Sequence, residues 1–145
     1  TRRSGEPMAV AMMDLDRFKQ VNDTYGHPTG DVILYETAEI LRQTVREIDM
    51  VGRYGGEEFV AILPGADEAD AHRFAERVRE AVANHVYRDE ANEVRMTLSG
   101  GVASFPGEGV DHPDLLIKRA DEALYAAKQG GRNRVLRATE LDGAT

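Results

Sequence analysis

Asp14 and Asp16 stand two residues apart at the end of a short apolar run, Met8 to Met13. Carboxylates that close a buried strand lie at a sheet edge, where a ligand can reach them. Hard divalent cations such as Mg2+ take oxygen ligands, commonly one or two carboxylates together with substrate phosphates. An isolated Asp-x-Asp is more readily read as a cap on the next segment. A second acidic pair, Glu57-Glu58, follows Gly55-Gly56 directly and precedes Phe59. Paired glycines at a turn allow positive φ and let a ligand approach the backbone closely. Successive strand residues point to opposite faces, so a regular strand would send only one of Glu57 and Glu58 to a given site. A tight turn with solvated acids accounts for the same five residues.

Asn22 and Asp31 carry groups that suit a purine base. A carboxylate accepts the adjacent N1–H and N2–H2 of guanine, and a carboxamide both donates and accepts. Taken alone, Asn22 also reads as a turn residue and Asp31 as an acid near a helix start. Lys128 and Arg132 bracket the end of a helix, where they complement its dipole or bind phosphate. Lys19 is either a solvated lysine or a cation beside developing phosphate charge. His27 has no nucleophile near it to activate and reads as structural. Arg46 and Asp49 are three residues apart, close enough to pair on a helix surface, where an ion pair contributes little.

These residues need a scaffold. Met8 to Met13 reads as a buried strand. Asn22-Asp23, Gly26 and Pro28 mark a turn-rich loop. Apolar residues at helical spacing (Ile33, Leu34, Thr37, Ala38, Leu41, Val45) predict a helix from about Asp31 to Glu47. Val51 to Tyr54 and Phe59 to Leu63 read as a hairpin around Gly55-Gly56. Ala69 to Val86 is a second amphipathic helix. Glu93 to Ala103 alternates as a strand, broken by Pro106-Gly107 and Gly109. Pro113 to Gln129 is a third long helix, stopped by Gly130-Gly131. Val135-Leu136 is the closing edge strand. The order is β, α, β, β, α, β, α and a last β. That order predicts an α+β domain, with helices on a largely antiparallel sheet.

Composition narrows the function further. The 145 residues suit a single domain spanning 1–145, and its ragged ends suggest a piece of something longer. No cysteine is present, which removes disulfides and thiolate chemistry and suits a reducing cytoplasm. A net charge of -8 disfavours extended binding to DNA or RNA. It leaves room for a small phosphate ligand held by local cations, amides or metal. No apolar run approaches the about 18 residues of a membrane span. Cytoplasmic localisation is expected, with membrane tethering open for a longer protein.

Four segments together resemble the GGDEF domain family, the diguanylate cyclases. They are Asp14-Leu15-Asp16-Arg17-Phe18-Lys19 running on to Gly26-His27-Pro28-Thr29-Gly30-Asp31; Arg53-Tyr54-Gly55-Gly56-Glu57-Glu58-Phe59; Thr97 to Ala103; and Arg119 to Lys128 followed by Gly131-Arg132-Asn133. The second segment has Glu57 at the family's Asp-or-Glu position, and the order and spacing of all four carry the resemblance. It implies a fold similar to nucleotidyl cyclase and polymerase palm domains. It implies that Asp14, Glu57 and the carbonyl of Leu15 hold Mg2+ or Mn2+. Glu57 would also help deprotonate a 3′-hydroxyl, with Glu58 a further acid. Asn22 and Asp31 would read guanine. Lys19, Lys128, Arg132 and the amides around Phe18 and Lys19 would meet phosphates.

The activity so implied is condensation of two GTP into cyclic di-GMP with release of pyrophosphate, by a homodimer. Arg46-x-x-Asp49 also matches the family's inhibitory motif, with Arg77 as a partner in product binding. The short helical stretch ending in Asn-Arg that usually precedes the family's first strand is absent from Thr1 to Pro7. Two alternatives compete with this reading. One is a catalytically silent receptor for GTP or cyclic di-GMP, against which the intact Asp14, Glu57 and Glu58 argue. The other is a cyclase for another nucleotide, against which Asp31 argues.

Overall fold

The computed structural model describes residues 7–106, 112 and 114–142. Gly107, Gly109 and Pro113, named above as a strand break and a helix start, lie outside the described residues, as do 1–6 and 143–145. The chain runs β1 (Met8–Leu15), α1 (Phe18–Tyr25), α2 (His27–Thr44), β2 (Met50–Arg53), β3 (Glu58–Pro64) and α3 (Glu68–Asn84). It continues β4 (Tyr87–Arg88), β5 (Glu93–Val94), β6 (Leu98–Phe105), α4 (Asp114–Gln129), β7 (Val135–Arg137) and α5 (Ala138–Asp142).

Five strands form one sheet in the order β2-β3-β1-β6-β7. Three pairings are antiparallel and the last, β6 with β7, is parallel. The expected α+β architecture is therefore present. β1 lies at the centre, and its unbroken apolar run follows from burial on both faces. Ala9, Ala11, Met13 and Leu15 join the core shared with α2 and α3, whereas Val10 and Met12 join the core under α4. On β6, a Cβ at Gly101 would fall 2.2 Å from Ala120 O and Leu124 N, so α4 rests directly on the strand's backbone. α3 starts with a reciprocal capping box between Asp67 and Asp70.

Four local readings need correction. The segment Asn22 to Pro28 is not a loop. It is the second half of α1 and the start of α2, separated by Gly26 at φ 96°. Phe18, Val21 and Tyr25 do stand at helical spacing, but eight residues are shorter than the stretch over which a period is read, and packing of Phe18 and Val21 into the core supports so short a helix. α2 begins at His27, with Pro28 in the first turn where its missing N–H is harmless. It ends at Thr44, because Val45 is extended. Arg46 and Asp49 are consequently in the turn before β2 and not on a helix. Lastly, Glu93 to Ala103 is two strands. β5 pairs with β4 in a separate hairpin, while β6 joins the main sheet. Alternation signals a strand but not which partner it takes.

Candidate active site

β1 delivers Asp14 at the sheet's end, opposite Glu58 of β3 and Ser99 of β6. Asp14 is 3% exposed, so its carboxylate is almost fully removed from water. One oxygen accepts a hydrogen bond from Lys128 Nζ at the end of α4. The other, Oδ1, is buried and has no hydrogen-bond partner. Burial pushes the Asp14 carboxyl up from 3.8 to about 6, Lys128 pulls it back, and the charges of Glu57 and Glu58 raise it again. Both glutamates thus act on the same carboxylate. Glu57 lies one residue before β3, outside the regular alternation, and its carbonyl accepts the Leu15 amide at 3.4 Å. The strand-geometry objection to their sharing a site lapses there.

A buried acceptor without a donor, flanked by two further acids, suits a cation. Among the described residues no group of three or more His, Cys, Asp or Glu side chains forms a ready ligand set. Asp14 with the neighbouring glutamates is a partial donor set of the kind a hard ion completes with substrate and water.

Asp16 behaves differently from Asp14. It is buried and fully engaged: Thr97 Oγ1 and Ser99 Oγ each donate at 2.7 Å, and the Asn133 amide donates at 3.0 Å. It ties the ends of β1 and β6 to the turn after α4, where Arg132 and Asn133 both have positive φ. The Asp-x-Asp pair therefore divides into a carboxylate with one bare oxygen and a fully bonded anchor. Residue type and spacing do not distinguish them, and the resemblance gives a role to Asp14 alone; the anchor's partners lie 81 to 117 positions away.

Arg17, at φ 58°, turns the chain sharply from β1 into α1. No side chain caps the start of α1. The leading amides of a helix point outward without acceptors, which favours an anion there. These are the amides around Phe18 and Lys19. Lys19 itself is exposed and paired with Asp23 at 3.4 Å. Asn22 Nδ2 donates to His27 Nδ1 at 3.0 Å, which gives His27 its structural role. Asp31 lines a hollow of about 330 Å3 with Leu34, Tyr35, Ala38 and Arg53.

A separate cleft of about 250 Å3 gathers Arg46, Asp49, Asp70, Arg73 and Arg77. Arg46 donates to Asp49 through Nε at 3.1 Å and Nη2 at 2.7 Å, and to Pro64 O at 2.9 Å. Only 2% of the Asp49 side chain is exposed against 53% for Arg46. This is not a free surface ion pair. Asp49 holds the turn, while part of the guanidinium faces the cleft beside Arg77.

The model of the diguanylate cyclase GGDEF domain matches residues 1–134 of the chain. The chain belongs to the GGDEF domain family. The Escherichia coli diguanylate cyclase DosC is 46% identical over 136 residues, which cover 92% of this chain and 29% of DosC. Among solved structures, the active GGEEF domain of a diguanylate cyclase from Vibrio cholerae superposes with a TM-score of 0.83 at 32% identity, over 92% of this chain and 83% of that one. The GGDEF domain of DgcB from Caulobacter crescentus, in complex with c-di-GMP, superposes with a TM-score of 0.85 at 33% identity, over 93% and 80%. The chain spans less than half the length of the curated relatives it matches. The glycine pair Gly55-Gly56 lies in the turn between β2 and β3. No described helix is long and apolar enough to cross a membrane.

Proposed function

We propose that this GGDEF domain is a diguanylate cyclase that joins two GTP molecules into cyclic di-GMP. The observation that supports it most is the buried Asp14 carboxylate, with one oxygen unpartnered and Glu57 and Glu58 acting on it. The 3′-oxygen of one GTP forms a bond to the α-phosphorus of the other. The bond to the β-phosphate oxygen breaks, and pyrophosphate leaves. A second such step closes the ring. Bound Mg2+ or Mn2+ supplies charge neutralisation on the phosphates and acidifies the attacking hydroxyl.

The chain's own residues do the rest. Asp14, Glu57 and the Leu15 carbonyl would hold the ion. Glu57 takes up the hydroxyl proton, and Glu58 adds negative charge at the same edge. The uncapped start of α1 at Phe18 and Lys19 receives phosphate oxygens, with Lys19, Lys128 and Arg132 as cations nearby. Lys128, now on Asp14, is in reach of whatever occupies that carboxylate. Asn22 and Asp31 hold guanine. Each domain binds one GTP, so two domains must face each other, and catalysis belongs to a homodimer. Positioning and electrostatics provide most of the acceleration. The Arg46, Asp49 and Arg77 cleft takes the product and limits turnover.

The test is chromatography of the purified domain at high concentration after incubation with GTP and Mg2+. A cyclic di-GMP peak that disappears in Glu57→Gln, with the fold intact by circular dichroism, is the expected result. Wild-type turnover in Glu57→Gln would overturn the site assignment. Absence of product even when a fused coiled coil enforces dimerisation would favour the silent receptor.

A further inference from the structure

We propose that Gly30 is a positioning residue for base recognition, its missing side chain being what seats the Asn22 carboxamide against α2. The inference rests on the assignment of Asn22 to guanine. Gly30 sits in the first turns of α2, and its φ is not among the positive ones. No turn therefore demands glycine there, and glycine is among the poorest helix formers. Space is the reason that remains. A Cβ at position 30 would lie 2.1 Å from Asn22 Oδ1, 3.1 Å from Asn22 Cγ and 3.3 Å from Phe18 Cζ. The first distance is far below any real contact and the other two are tighter than most, so an alanine would force the carboxamide to move.

The opposite end of that amide is held as well, by the 3.0 Å hydrogen bond from Nδ2 to His27 Nδ1. His27 and Gly30 thus grip Asn22 from two points on one helix, one by a bond and one by a gap. Asp31, the other base-reading residue, follows Gly30 directly and is exposed. A side chain at position 30 would break the grip on Asn22 while leaving Asp31 in place. A carboxamide displaced by even an ångström loses directional hydrogen bonds to a base.

The experiment compares wild type, Gly30→Ala, Asn22→Ala and the double variant. Calorimetry reads the affinity of a GTP analogue with a methylene bridge between the α and β phosphorus atoms, in the presence of Mg2+. Nucleotide-free melting reads stability. Gly30→Ala is expected to weaken the analogue about tenfold, the loss of roughly one hydrogen bond. In the Asn22→Ala background the same change is expected to cost no further affinity and to raise Tm, because the obstruction is gone and alanine favours the helix. If Gly30→Ala fails to fold, recovery of folding in the double variant supports the steric half of the inference, and equal misfolding overturns it. An equal affinity loss in both backgrounds, or none beside Asn22, would refute the positioning role. Unchanged affinity in Asn22→Ala alone would instead overturn the base assignment, and this inference with it.

Discussion

Replacing Asp14 by Asn should make the metal-free domain more stable while removing its function. Asp14 is an acid whose native pKa is raised, from 3.8 to about 6, chiefly by burial. The native state therefore holds the proton more tightly than the unfolded chain. Below about pH 4 the carboxyl is neutral in both states and has no effect. Between about pH 4 and 6 only the unfolded chain ionises, and stability falls as pH rises; above about 6 the full cost persists. A shift of about two units corresponds to about 3 kcal/mol. The attraction of Lys128 is already contained in that figure, because it helps to set the native value. Urea unfolding with chelator should then show Asp14→Asn more stable than wild type by up to about 3 kcal/mol at pH 7. The gap should narrow to about 1 kcal/mol at pH 4.5. Excess Mg2+ should stabilise the wild type and leave the variant unmoved. A gap that does not change with pH, or a variant less stable than wild type at pH 7, would refute the reasoning.

Asp16→Ala should destabilise the fold by about 2–4 kcal/mol, since the donors of Thr97, Ser99 and Asn133 lose a common acceptor. A loss below about 0.5 kcal/mol in denaturant titration would show that the anchor is dispensable. Arg46→Ala should weaken product binding by about tenfold or more, the worth of a charge-assisted hydrogen bond, and so relieve product inhibition. Progress curves that stay as strongly inhibited as wild type would return the pair with Asp49 to a purely structural role. Asp31→Ser should relax preference for GTP over ATP, read from competition binding, and an unchanged preference would remove Asp31 from base selection.

Much of this domain is legible along the chain because its signals are local. The apolar run of β1, the hairpin at Gly55-Gly56 and the stop at Gly130-Gly131 each need only neighbouring residues to be read. The three long helices announce themselves by period for the same reason. α1 does not, because eight residues carry too little pattern, and its turn residues are recruited by Phe18 and Val21 packing into the core. The same limit applies to the site. Acid types and spacing name Asp14, Glu57 and Glu58 as candidates, and the ordered motifs add the family. Which aspartate keeps a bare oxygen depends on partners far away in sequence: Lys128 bonds only one Asp14 oxygen, while Thr97, Ser99 and Asn133 saturate Asp16.

What the sequence determined by itself is the inventory of charged and apolar groups and the helix and strand periods. Those follow from backbone geometry and burial over a few residues. Tertiary structure alone decided where β5 and β6 pair, where α2 ends, which carboxylate is left unsatisfied, and why a helix holds a glycine at position 30. Each of those is set by contacts between distant segments, and a steric gap or an orphaned oxygen exists only once the segments meet.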